Sequence, residues 1–157
     1  MPSTLLKNAR LLDPWTHLDQ PGDLLAVNGF ITAVGSEAAS SAPADAVVVD
    51  CGGHCLAPGL VDMRVQLREP GHEHVESLAI SSQAAAAGGI TSLVALPDTE
   101  PVLDDVALVE YITRRAQKAG LVNIYAFAAA TRGLEGSELT EMGLMAGAGA
   151  LDRKSVV

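Results

Sequence analysis

Pro58-Gly59-Leu60-Val61-Asp62-Met63-Arg64-Val65-Gln66-Leu67-Arg68-Glu69-Pro70-Gly71 is the stretch whose reading decides the fold. Leu60 to Leu67 is apolar or β-branched at most positions, and Pro-Gly pairs punctuate both sides, which predicts one buried strand running out into a turn. Side chains two apart on a strand share a face, so Asp62, Arg64 and Gln66 project together and Val61, Met63, Val65 and Leu67 project the other way. A polar triplet on the inner face of a buried strand is costly without partners. It reads either as a satisfied hydrogen-bond network or as the floor of an active site.

Outward from this stretch the rhythm differs on the two sides. Upstream, Leu5 to Leu12, Asp23 to Val27, Phe30 to Val34 and Ala46 to Asp50 are short apolar runs that read as strands. Asn28-Gly29 predicts a two-residue hairpin turn, Pro21-Gly22 a second turn, and Ala38 to Ala46 a Ser/Ala/Pro-rich loop. Residues 1–57 therefore read as a small β unit. Downstream, strand and helix alternate. Glu76 to Ala87 reads as a helix ended by Gly88-Gly89, and Ile90 to Leu96 as a second buried strand. Asp104 to Ala119 reads as a second helix, with Asp104 and Asp105 in its first turn and an apolar stripe of Leu108, Val109, Ile112 and Ala116. Glu110 and Arg114 form an i,i+4 pair, and Gly120 ends the helix. Asn123 to Ala130 reads as a third strand and Glu138 to Ala146 as a third helix. Repeated βα units imply a parallel sheet.

A net charge of −9 without basic runs argues against nucleic acid and against anionic membrane surfaces. Hydrophobic content of 48% with only 3% aromatic residues makes the core aliphatic. No apolar run reaches the roughly 20 residues of a membrane helix. The N-terminus lacks the charged-then-apolar order of a signal peptide, so a cytoplasmic setting is expected. Cys51 and Cys55 flank Gly52-Gly53-His54. This could be half a zinc site completed by His72 or His74, but there is no second cysteine pair, and reduced thiols are the preferred reading.

The organising stretch resembles the first barrel strand of the cyclic amidohydrolases, most closely the dihydroorotases, whose pattern is Pro-Gly-Leu-Val-Asp-x-His-x-His-Leu-Arg-Glu-Pro-Gly. Ala86-Ala87-Gly88-Gly89-Ile90-Thr91 and Pro97-Asp98-Thr99-Glu100-Pro101 extend the resemblance, as does Thr131-Arg132-Gly133-Leu134-Glu135-Gly136, which is similar to a family loop after the third strand. It covers Leu5 to Ala150. It implies an α/β fold: a small β-sandwich half-domain over residues 1–57, then about three βα units of a (β/α)8 amidohydrolase barrel over residues 58–151. A barrel of that type takes about 250 residues and eight such units, so the chain is expected to be an N-terminal fragment of a longer protein. Residues 152–157 place Arg153 and Lys154 where an apolar strand is expected. One back-translation of these six residues resembles a sequencing adapter, and they are read as a non-native tail; ordinary sequence variation is the alternative.

The resemblance implies a reaction as well, the interconversion of dihydroorotate and carbamoyl-aspartate in pyrimidine biosynthesis. In it zinc activates a water and an aspartate from a late strand moves the proton. By position Arg68 matches the family's carboxylate-binding arginine, and its fork suits a carboxylate. Asp98 occupies the position of the family's second carboxylate-binding residue, an asparagine; an ionised Asp has no donor to offer there and repels a carboxylate. Arg64 and Gln66 stand at the two metal-binding histidine positions. Arg has no lone pair to give, and Gln is a poor zinc ligand. No catalytic residue and no bound zinc are therefore expected in this chain, and Arg64 is expected to supply charge in place of the metal by pairing with Asp62 or Asp98. His74 matches a family histidine and needs no special role, while metal ligation by His72 and His74 is weighed below simple exposure.

Three functional readings follow. The first is a non-catalytic dihydroorotase homologue acting as a structural partner of aspartate carbamoyltransferase, with self-association a further option. The second is an active zinc-dependent dihydroorotase, hydantoinase or allantoinase with unusual metal ligation. The third is a fragment with no function of its own.

Overall fold

The computed structural model describes residues 2–154 and divides the chain into two units, Met1–Pro58 and Gly59–Val157. The first unit is a five-stranded sheet. Strands β1 (Ser3–Asp13), β2 (Leu18–Val27), β3 (Phe30–Val34) and β4 (Val47–Asp50) run in the order β3-β2-β1-β4, and β5 (Cys55–Leu56) also pairs with β1. β1–β2 and β2–β3 are antiparallel, while β4 and β5 lie parallel to β1. Asn28 and Gly29, at φ 53° and 81°, form the expected hairpin turn, whose twist matches that of the flanking strands.

Two expectations fail in this unit. Pro21 and Gly22 do not turn the chain; they lie inside β2, opposite Arg10 and Ala9. The β1–β2 register shifts between Leu6 and Ala9, and Asp23 Oδ1 accepts the Asn8 N–H there at 2.9 Å, so the ladder absorbs its irregularity without ending. Residues 38–46 are also not wholly loop. Ser36–Ser41 forms helix α1, because Ala38 fills the small core with Leu5 and Leu25.

The second unit is a parallel sheet in the order β6-β7-β8-β9 with helices between its strands. These are β6 (Leu60–Val65), α2 (Leu78–Ala87), β7 (Ile90–Ala95), α3 (Val106–Ala119), β8 (Asn123–Ala129), α4 (Met142–Gly147) and β9 (Asp152–Lys154). α2 begins at Ser77, whose Oγ accepts the Ile80 N–H, and α3 at Asp105, whose carboxylate accepts the Ala107 N–H at 2.8 Å. Gly120 closes α3 in the left-handed region at φ 74°. Val109, Ile112 and Ala116 of the expected stripe are buried, and Leu108 packs beside them. Leu67, Leu78, Leu93, Leu103, Ile112 and Ile124 anchor the core. Glu110 and Arg114 pair at 3.6 Å.

Three features of this unit differ from expectation. β6 is not a buried strand: Leu60, Val61 and Met63 are about 60% exposed (62%, 59% and 61%). It is the outer strand of its sheet, bonded to β7 alone, and α2 packs on β7, so only Val65 and Leu67 reach the core. α4 starts at Met142 and not at residue 138, because Leu139 bridges to Thr131 and the Thr140 hydroxyl bonds the Ala129 carbonyl at 2.7 Å. Residues 152–154, with Arg153 and Lys154 where an apolar strand is expected, form a strand nonetheless. Asp152, Arg153 and Lys154 pair with Phe127, Ala128 and Ala129 as β9, since a ladder is made by backbone groups whatever the side chains. Residues 155–157 of the expected tail lie outside the described residues.

Candidate functional site

The C-terminal ends of parallel strands are where barrel and open-sheet sites are built, since the βα loops gather there. Here they bring together Gln66, just past β6, and Asp98, just past β7. Gln66 Nε2 donates to Asp98 Oδ2 at 2.6 Å. Asp62 lies on the same face of β6 as Arg64, and its Oδ1 accepts the Arg64 backbone N–H at 2.9 Å. The Arg64 guanidinium pairs with neither carboxylate, contrary to expectation. The Asp62 side chain is turned back onto the strand in a local side-chain-to-backbone bond, and Asp98 is taken by Gln66. Arg68 is exposed, and its side chain has no partner among the described residues; its carbonyl accepts the His72 N–H at 2.7 Å.

This donor set does not suit a divalent cation. At the two first-strand positions one side chain is a permanent cation, and the other turns its amide N–H₂ toward Asp98. Among the described residues no three His, Cys, Asp or Glu side chains converge. His72 is not simply exposed: it is half-buried and its Nε2 meets Glu100 Oε2 at 3.2 Å, with the His74 ring edge-on at 6.0 Å. Cys51 and Cys55 are unpaired thiols.

The loops carrying these groups are held closely. Gly71 adopts φ 105°, and a Cβ there would collide with the Glu100 carbonyl oxygen, so only glycine lets the two loops approach. Glu100 N–H donates to the Pro70 carbonyl at 3.3 Å. After β8, the Gly133 N–H donates to Asp104 Oδ2 at 2.8 Å and the Gly136 N–H to Thr131 Oγ1 at 3.0 Å, which makes that segment a tied barrel loop.

Glu69 is the residue that sequence reasoning left without a role. It is 1% exposed. Oε1 accepts from Arg115 Nε at 2.6 Å and from the Tyr111 hydroxyl at 3.2 Å, and Oε2 accepts the Leu78 N–H at 2.9 Å. Burial pushes its carboxyl up, but the bonds from Arg115 and Leu78 outweigh this and hold it below the ordinary range. Burial and the Glu69 charge push the Tyr111 hydroxyl up. The only signal in the sequence was an acidic residue inside an otherwise conformational Pro-Gly turn.

The βα order, the preceding β unit and the placement of the polar groups define the class: this is the amidohydrolase barrel fold, present here as three βα units. The L-hydantoinase (dihydropyrimidinase) of Arthrobacter aurescens superposes with a TM-score of 0.77 at 24% identity, over 98% of this chain and 32% of that one. A family model described as dihydro-orotase-like matches residues 53–155, and the chain belongs to that family. It is 44% identical over 145 residues to a dihydroorotase of Pelobacter propionicus and 46% identical over 147 residues to one of Syntrophus aciditrophicus. Those matches cover 92% and 94% of this chain but 34% of each relative, so the chain spans about a third of their length.

Proposed function

We propose that the protein carrying this chain is a dihydroorotase homologue without a working metal centre, which serves in the cytoplasm as a non-catalytic partner of aspartate carbamoyltransferase. The observation that carries this is the pair Arg64 and Gln66 at the first-strand metal positions, with Gln66 hydrogen-bonded at 2.6 Å to Asp98, itself a substituted substrate-binding position. The departures thus touch metal and substrate binding together, while the loops after β6 and β7 stay closely tied at Gly71 and Glu100. A barrel kept elsewhere but with altered chemistry at these positions is most simply a scaffold.

The full-length protein titrated into aspartate carbamoyltransferase tests this. A stable complex on size-exclusion chromatography, with no ring opening of dihydroorotate by the homologue alone, is the expected result. Separate elution, with transcarbamoylase activity indifferent to the homologue, counts against it. The 44% and 46% identity to chains called dihydroorotase favours a second reading, an active zinc-dependent cyclic amidohydrolase whose ligands lie elsewhere. Turnover of dihydroorotate by the homologue alone would select it.

A further inference from the structure

The segment after β6 has two sides. Its front carries Gln66 and Arg68. Its back carries Leu67, which enters the core, and Glu69, which enters a polar socket between α2 and α3. The other bonds of this segment stay within it, such as His72 N–H to the Arg68 carbonyl and Gly71 N–H to Glu73 Oε1, or join it to the loop after β7, through Glu100 N–H to the Pro70 carbonyl and the His72 ring to Glu100. They fix the loops to one another and not to the helical layer. Beyond Leu67, the side-chain tie to that layer among the described residues is the Glu69 carboxylate. Its three donors come from two helices: Leu78 N–H from the first turn of α2, where a carboxylate also meets the positive end of the helix dipole, and Tyr111 and Arg115 from α3. Charge-assisted bonds of this kind are shorter and stronger than neutral ones, and the 2.6 Å contact to Arg115 is of that kind.

We propose that Glu69 is a positioning residue: by clamping to Arg115, Tyr111 and the Leu78 N–H it fixes the segment that presents Gln66 and Arg68 at the C-terminal ends of the strands. Glu69 touches no ligand itself. Arg115 and Tyr111 of α3 act through their bonds to Glu69. This role holds whether or not the mouth is catalytic.

Hydrogen exchange with peptide-level mass spectrometry on the full-length protein tests it, comparing wild type with Glu69→Gln, Arg115→Met, Arg115→Lys and Tyr111→Phe. Amides of residues 66–76 are expected to exchange roughly tenfold faster in Glu69→Gln and Arg115→Met, while those of β7 and β8 hold. Arg115→Lys, which keeps a charged donor, restores most of the protection, and the rate of Arg68 modification by phenylglyoxal shifts and returns in the same variants. Unchanged exchange at residues 66–76, a uniform rise across β7 and β8, or an Arg68 rate blind to Arg115 would overturn the proposal. If Glu69→Gln does not fold, Arg115→Met set against Arg115→Lys decides it by the same readings.

Discussion

At the scale of single residues, Gln66 and Asp98 bond each other, and Arg64 is exposed and pairs with neither neighbouring carboxylate. Glu69 shows the opposite behaviour, a charge taken inside and surrounded by donors. Its carboxyl is held below the ordinary range, so folding favours the ionised form. Stability from this group is fully present above the unfolded value of about 4.3 and is lost as pH falls through the lower folded value. Glu69→Gln in the full-length protein is therefore expected to unfold at a lower temperature near neutrality and to lose less of that temperature between about pH 5 and about pH 3 than wild type does. Parallel pH curves for the two proteins would contradict this. The departures at Arg64, Gln66 and Asp98 were legible in the sequence because a motif makes its own substitutions visible. Which carboxylate each would meet was not, since Asp62 could bond its own strand or a neighbour at equal sequence cost. Glu69 was illegible for a different reason: its chief partner Arg115 lies 46 positions away, and nothing local marks a carboxylate as buried.

At the scale of elements, the helices most readable in sequence are those with their own punctuation. α3 has a stripe at helical spacing and Gly120 after it, both in the expected places, while Asp105, expected in the first turn, caps the helix from just before it. α1 and β9 have no such signals. α1 forms because Ala38 finds a pocket, and β9 because β8 offers an edge, both facts of tertiary structure. Pro21-Gly22 misleads for a related reason, since turn residues inside a long ladder obey the ladder. The caps carry a direct expectation. Ser77→Ala and Asp105→Ala each remove the side-chain acceptor of a helix N-terminus, and each should cost about 1 kcal/mol in denaturant unfolding of the full-length protein. Loss near zero at Asp105, where the bond is 2.8 Å, would show that the first turn of α3 is held by packing alone.

At the scale of the whole molecule, each unit leaves large apolar side chains in solvent: Trp15 (92%) and Phe30 (75%) in the first, and Leu60, Val61 and Met63 along β6 in the second. Large apolar side chains exposed in this number mark surface that a folded protein normally covers. Residues 1–157 expressed alone are accordingly expected to bind hydrophobic dyes and to melt without a sharp transition. A soluble monomer with a single cooperative transition would contradict this. The βα order and the family were legible, because they rest on motifs and alternation. The exposure of β6 was not, because an apolar run does not say which of its faces a neighbour covers.

The central claim, that Arg64 and Gln66 take the place of metal ligands, is tested most directly by elemental analysis of the full-length protein after dialysis against zinc and then against a zinc-free buffer. Wild type is expected to retain no stoichiometric zinc, and Arg64→His with Gln66→His to retain measurably more, without full dihydroorotase activity while Asp98 remains. Tightly held, stoichiometric zinc in the wild-type protein would contradict the account.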